Sequence, residues 1–327
     1  MFDPKSFIES LPKSNKSTFD NHAIELFKYQ SKNNLVYRTY LENLKVNPGI
    51  VQELKDIPFM PIEFFKHKTI KTNEWEDNIV FESSGTTGIN TSKHHIYNLS
   101  NYHKNARQLF ETEYGAIEDK IILGLLPSYL ERSGSSLVSM VDHFIKLSKS
   151  DISGFYLYNT DELVDLMKAK AQEKNIILFG VTFALLNLAE QYDVDMSHVT
   201  VIETGGMKGM REEIVKEELY EILGSKLKIK NIYSEYGMTE LLSQAYGKYG
   251  KFTEPKTMKI LIRDINDPFS YLQDSKTGGI NIIDLANAYS CAFIETKDIG
   301  RKNPNGTFEV LGRFDNSDIR GCNLLVN

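Results

Sequence analysis

Cysteine is close to absent from this chain. Cys291 and Cys322 are the two in 327 residues, so no disulfide framework is available and a reducing, cytoplasmic setting is expected. An excess of basic charge is missing too. With 38 Lys and Arg against 44 Asp and Glu, the formal net charge is −6, which argues against a general binder of nucleic acid or anionic membrane. The N-terminus, Met1-Phe2-Asp3-Pro4-Lys5, lacks the basic-then-apolar order of a signal peptide. The most apolar window, residues 176–189, is too short to span a bilayer and is interrupted by Gly180 and Asn187. There is no internal repeat and no low-complexity tract. What remains, 41% hydrophobic and 25% charged residues, is the composition of a globular protein with room for two or three lobes.

The pattern of apolar residues sets the expected fold. Residues 1–60 predict helices, with Phe19, Ala23, Leu26, Phe27 and Gln30 at helical spacing behind Thr18 or Asp20 as start signals. Residues 57–66, with Pro58 and Pro61 among large apolar side chains, read as an ordered extended connector. Strands then alternate with helices. Strands are expected at 79–81, 121–126, 155–158, 176–179, 199–202 and 229–233, and helices at 100–114, 135–148, 161–174, 182–191 and 210–223. Ser100 and Thr160 serve as start signals, Gly115 and Gly224 as stops. Strands apolar on both faces predict an α/β fold whose sheet is mostly parallel and covered by helices, with ligand loops at the strands' carboxyl ends. From Phe252 onward, short alternating runs at 258–262, 279–284, 292–295 and 307–311 predict a smaller antiparallel β lobe. The expected division is a helical segment and connector over 1–65, an α/β core over 66–250, and the β lobe with the tail over 251–327.

Several loops carry chemistry. After the strand ending at Phe81 comes Glu82-Ser83-Ser84-Gly85-Thr86-Thr87-Gly88, a small, hydroxyl-rich turn whose N–H groups and hydroxyls suit phosphate oxygens. Gly88 is followed by Ile89 and Asn90, so this is not a P-loop, and taken alone it reads first as a flexible linker. Glu203-Thr204-Gly205-Gly206 ends a strand with a glycine pair that lets backbone approach a flat ligand. Taken alone it reads first as a tight strand-to-helix turn. In Ser234-Glu235-Tyr236-Gly237-Met238-Thr239-Glu240, a hydroxyl and a carboxylate are adjacent, the hard-oxygen pair Mg²⁺ prefers, or an ordinary helix start. Asp298, on a loop, offers an acceptor for ribose hydroxyls, and Arg313, in a turn, a planar cation. His94-His95 with His103 lacks the pattern of a metal site and reads as a solvent-facing or rim pair. No Gly-x-Ser-x-Gly elbow accompanies Ser133 to Ser136, which speaks against a serine hydrolase.

The order of these motifs, from Ser83 to Gly321, resembles the adenylate-forming superfamily of acyl-CoA synthetases, luciferases and peptide-synthetase adenylation domains. Within it, residues 57–65, Ser92-Lys93-His94-His95, residues 126–132 and Gly321-Cys322 look more like LuxE-type acyl-protein synthetases. Those enzymes activate a fatty acid with ATP and pass the acyl group through a cysteine to a reductase partner.

The resemblance implies that Ser83, Ser84, Gly85, Thr86, Thr87 and Gly88 hold the ATP phosphates. It implies that Gly205 and Gly206 line the adenine pocket, that Tyr236 lies on the ring, that Gly237 belongs to the nucleotide site, and that Thr239 and Glu240 contact phosphate and Mg²⁺. Asp298 would grip the ribose with Arg313 nearby. Cys322 would carry the thioester, whereas Cys291, in an apolar run, is expected to be structural. Two departures stand out. The first loop sets its lysine further on, at Lys93, and the Gly312-Arg313-Phe314-Asp315 motif lacks the superfamily's following lysine. A C-terminal lid with its catalytic lysine is expected to be missing, leaving Lys93, Lys208 or Arg211 as the assisting cation. The alternatives are an acyl-CoA or acyl-carrier-protein ligase, and a non-catalytic nucleotide- or acyl-binding subunit of a reductase complex.

Overall fold

The computed structural model describes residues 2–83, 91–127, 134–157, 159–173, 175–205 and 214–314. In chain order the elements are α1 (Pro4–Ser10), α2 (Lys16–Asn33), α3 (Leu35–Asn43), β1 (Met60–Pro61), α4 (Phe64–His67), β2 (Ile79–Glu82), β3 (Lys93–Ile96) and α5 (Leu99–Tyr114). Then come β4 (Ile121–Leu125), α6 (Ser136–Leu147), β5 (Gly154–Phe155), α7 (Thr160–Ala169), β6 (Ile176–Val181), α8 (Thr182–Gln191), β7 (Thr200–Thr204), α9 (Lys216–Leu227) and β8 (Asn231–Tyr236). The series ends with β9 (Ala245–Lys248), β10 (Lys251–Thr253), β11 (Met258–Arg263), β12 (Thr277–Asp284), β13 (Phe293–Lys302) and β14 (Thr307–Arg313).

The chain forms two compact units, one of residues 65–69 and 74–255, the other of 1–64, 70–73 and 256–327. In the first, β5, β4, β6, β7 and β8 lie side by side and parallel, and β9 and β10 continue antiparallel from β8. β4 and β6 are buried along their whole length, which is why their sequences run apolar rather than alternating. Phe110 of α5, Phe144 of α6 and Phe179 of β6 pack ring against ring in this core. Each such burial is worth about 1.5–3 kcal/mol. Among the described residues, no helix is long and apolar enough to cross a membrane.

In the second unit β11, β12, β13 and β14 form an antiparallel sheet, and β1 adds parallel to β13. Helix α2 packs beside it through a polar anchor. The fully buried Gln30 amide donates to the carbonyls of Asn287, Ala288 and Ser290 at 2.9, 3.2 and 3.1 Å, and its oxygen accepts from the Ala292 N–H at 3.0 Å. Tyr37 stacks on Phe293 at 6.0 Å and donates its hydroxyl to the Pro58 carbonyl at 2.6 Å.

Some boundaries differ from the expectation, each for a local reason. Asn15 starts α2 rather than Thr18 or Asp20; Thr18 is the reciprocal partner in a capping box, its Oγ1 accepting from the Asn15 N–H at 3.1 Å. Asn98 rather than Ser100 caps α5, accepting from the Ser100 N–H at 2.9 Å. Asn159, not Thr160, stands before α7. Helix α9 runs through Gly224 and stops at Lys228, whose φ of 53° is left-handed, so the glycine is not its stop. Asp298 lies within β13 rather than on a loop, because that strand continues past a register shift between Ile299 and Gly300.

Candidate active site

The carboxyl ends of β6, β7 and β8 point the same way, as parallel strands must, and Gly205 and the segment from Tyr236 to Glu240 follow directly from them. Gly205 has φ 65°, a conformation open to glycine at little cost. At Gly237 a Cβ would displace the Glu235 carboxylate, the end of a flexible side chain that the Thr204 hydroxyl holds at 2.6 Å. Tyr236 is largely buried, with its ring tilted on Phe252 at 5.7 Å. Thr239 is half-buried and Glu240 is buried in the turn where the Leu241 N–H donates to the Met238 carbonyl at 3.1 Å.

The stem of the Ser/Thr/Gly loop is the hairpin β2–β3, in which Phe81 faces His94 and Glu82 faces Lys93. Its ends are tied twice: the Ser83 N–H donates to the Ser92 carbonyl at 3.0 Å, and the Ser92 N–H to the Ser83 hydroxyl at 2.9 Å. Ser84, Gly85, Thr86, Thr87 and Gly88 lie outside the described residues, as do Gly206, Lys208, Arg211 and Cys322. Lys93 is exposed and 3.8 Å from Glu82.

His94 joins this stem to the Thr239 turn. It is fully buried, its Nδ1 lies 2.8 Å from the Thr239 carbonyl, and its ring meets Phe65 edge-on at 5.5 Å. A carbonyl can only accept, so Nδ1 carries the proton. The expectation of a solvent-facing histidine is therefore corrected. The strand's own alternation held the signal, since His94 shares the inward face with Ile96 while Lys93 points out. His95 is the more open neighbour, 2.9 Å from Asp77. Helix α5 braces the same turn, with Asn105 Nδ2 donating to the Leu242 carbonyl at 2.8 Å and to the Ser243 hydroxyl at 3.1 Å.

A profile of the family described as "Acyl-protein synthetase, LuxE" matches residues 2–103 and 139–327. The chain belongs to the LuxE acyl-protein synthetase family. The LuxE fold is that of adenylate-forming ligases. ATP-bound MatB from Rhodopseudomonas palustris superposes with a TM-score of 0.53 at 17% identity, over 74% of this chain and 49% of that one. O-succinylbenzoate coenzyme A synthetase (MenE) from Bacillus subtilis, in complex with AMP, gives 0.51 at 17% identity, over 72% and 49%. An open conformation of 2-hydroxyisobutyryl-CoA ligase with 2-HIB-AMP and CoA gives 0.66 at 12% identity, over 90% and 74%. The chain thus spans about half the length of the MatB and MenE structures. A search of curated proteins finds no match.

The chemistry of Thr239 and Glu240, a hydroxyl and a carboxylate side by side, is of the kind Mg²⁺ takes. No cluster of three or more His, Cys, Asp or Glu occurs among the described residues, but Mg²⁺ needs none when it is held by one carboxylate and substrate phosphates and keeps several waters. Glu240 and the Thr239 hydroxyl are such hard-oxygen donors.

In the β lobe, Asp298 and Arg313 face each other across β13 and β14 with 3.8 Å between Oδ1 and Nε. The Asp298 N–H donates to Thr296 Oγ1 at 3.0 Å. Arg313 is mostly exposed, whereas the Asp298 side chain is only 15% exposed. Cys291 is fully buried, its Sγ 3.6 Å from the Phe293 carbonyl, and burial pushes its thiol up to about 12.

Proposed function

We propose that this LuxE family member condenses a medium- or long-chain fatty acid with ATP to acyl-AMP and passes the acyl group to a protein thiol. The observation that carries the reading is the His94 hydrogen bond, which fixes the stem of the phosphate-type loop against Thr239, beside Glu240. In the first step a carboxylate oxygen attacks the α-phosphorus of ATP. The new O–P bond forms as the bond to the bridging oxygen breaks, and pyrophosphate leaves with that electron pair. In the second, a thiolate attacks the acyl carbonyl and AMP departs with the C–O pair.

In-line displacement at phosphorus is chiefly positioning and charge neutralisation. Ser83 and residues 84–88 supply donors to the β- and γ-phosphates. The Thr239 hydroxyl and Glu240 would hold Mg²⁺, which when bound supplies charge neutralisation at the phosphates. Gly205, Gly206, Tyr236 and Gly237 are assigned to the adenine, Asp298 and Arg313 to the ribose, and Lys93 to the assisting cation, with Lys208 and Arg211 as alternatives.

The thiolate is the reactive form of cysteine, and a thiol held near 12 supplies almost none at neutral pH, so Cys291 is unsuited to the transfer. Cys322 is assigned that role, ahead of an acceptor protein. Carboxylate-dependent ATP–pyrophosphate exchange across a panel of acids tests the adenylation. Absence of exchange with every acid refutes it and favours a binding subunit. Intact-mass measurement after turnover tests the transfer, and a Cys322→Ser chain that still delivers acyl groups removes Cys322 from the mechanism.

A further inference from the structure

Behind the strand ends lies a second charged group that the reaction scheme does not use. Glu203, on β7, is fully buried. One carboxylate oxygen accepts from the Thr182 hydroxyl; the other accepts from the Lys216 ammonium and, at 3.0 Å, from the Ser234 hydroxyl. The Tyr220 hydroxyl adds to the cluster, 2.8 Å from Ser234 Oγ. Thr182 opens α8 directly after β6, Ser234 lies opposite Glu203 on β8, and Lys216 and Tyr220 belong to α9. One side chain therefore ties the carboxyl ends of three neighbouring parallel strands to the first turn of a helix.

Stability alone is a poor account of this arrangement. Taking the Glu203 carboxylate out of water is costly even with the partly exposed Lys216 beside it, and packed apolar residues often hold a fold as well or better. Lys216 is also at the wrong end of α9 for the helix dipole, which favours acidic residues such as its neighbours Glu217 and Glu218. What the cluster does supply is geometry. The ladder between β7 and β8 ends at the pair Thr204 and Glu235. Gly205 follows immediately, two residues beyond Glu203, and Tyr236 is two residues beyond Ser234.

We propose that Glu203, locked by Lys216, Thr182 and Ser234, is a positioning residue for the nucleotide, holding Gly205 and Tyr236 at the spacing that admits the adenine ring. The inference rests on the adenylation reading, and its signature is selective. The KM for ATP should rise about tenfold in Glu203→Gln, with kcat and the KM for the acid within about threefold of wild type, because binding and not chemistry is loosened. Lys216→Met should give a similar rise, and Ser234→Ala a smaller one. Glu203→Gln/Lys216→Met should be no worse than either single change, since it removes both charges together.

A purely structural cluster gives a different result: kcat and melting temperature fall through loss of active protein while the KM for ATP stays put. If the full chain exchanges pyrophosphate and every folded variant keeps the wild-type KM for ATP, the inference is overturned. Should Glu203→Gln fail to fold, Ser234→Ala and Lys216→Met decide by the same criterion. Wild-type chain that exchanges with no acid overturns the adenylation reading itself, and the positioning role falls with it.

Discussion

His94→Leu is the most informative single change. It removes the donor to the Thr239 carbonyl in a fully buried place and leaves a side chain of apolar character beside Phe65. A buried carbonyl that loses its donor costs about 1–3 kcal/mol. If that cost is expressed where the hairpin meets the Thr239 turn, kcat/KM for ATP in pyrophosphate exchange falls about 5- to 150-fold. His94→Asn separates the hydrogen bond from the ring. Its amide nitrogen can stand close to where Nδ1 stands, so the donor survives while the contact with Phe65 is lost. The expected order is wild type, then Asn, then Leu, measured by exchange on chains whose folding is checked by thermal melting. A folded Leu variant with wild-type exchange, or an Asn variant no better than Leu, refutes the idea that this bond aligns the two motifs.

Other outcomes follow from the same geometry. Burial, and then His143 stacked against it at 4.2 Å, holds His103 down at about 4, although Asp142 pulls the other way. Between about 4 and the ordinary 6.5 the unfolded chain takes up a proton that the folded chain refuses, so stability is full above that window and declines as pH falls through it. Screening at this half-buried ring reduces the loss to about 1–2 kcal/mol, read as a drop in urea midpoint that His103→Gln should flatten. Iodoacetamide on the native chain should spare Cys291 until denaturant is added; early labelling of Cys291 contradicts its burial. Gly237→Ala should push the Glu235 carboxylate off Thr204 and cost about 1 kcal/mol, the net worth of that hydrogen bond, in denaturant melts; in a Glu235→Ala background the same change should cost nothing further. Chelation of Mg²⁺ should abolish exchange, and Glu240→Gln should raise the Mg²⁺ concentration for half-maximal rate about tenfold or more; an unchanged requirement removes Glu240 from the metal.

How much of this was legible beforehand depended on whether a signal was local. The parallel sheet could be read because β4 and β6 are buried on both faces and carry unbroken apolar runs. The β lobe could be read because β11 alternates. The motif order gave the family because each motif is a short contiguous stretch. The role of His94 is not legible in the sequence because its partner is 145 residues away and histidine has no fixed preference for inside or outside. The reach of α9 is not legible because glycine is a frequent stop signal, whereas Gly224 is not among the glycines of positive φ and the left-handed residue that ends the helix is Lys228. Asp298 reads as a loop residue in the sequence because the polar residues Thr296, Lys297 and Asp298 interrupt the alternation, while the backbone pairing continues through them.

The anchor at Gln30 has a consequence for how the protein is made. Its amide closes on a backbone segment as much as 262 residues further along. At about 5–20 residues per second of synthesis, helix α2 waits roughly 13–50 s before its binding site leaves the ribosome. Through that interval Phe27 and Tyr37 have no Phe293 to close on, so the nascent chain must shelter an apolar surface that the finished protein hides.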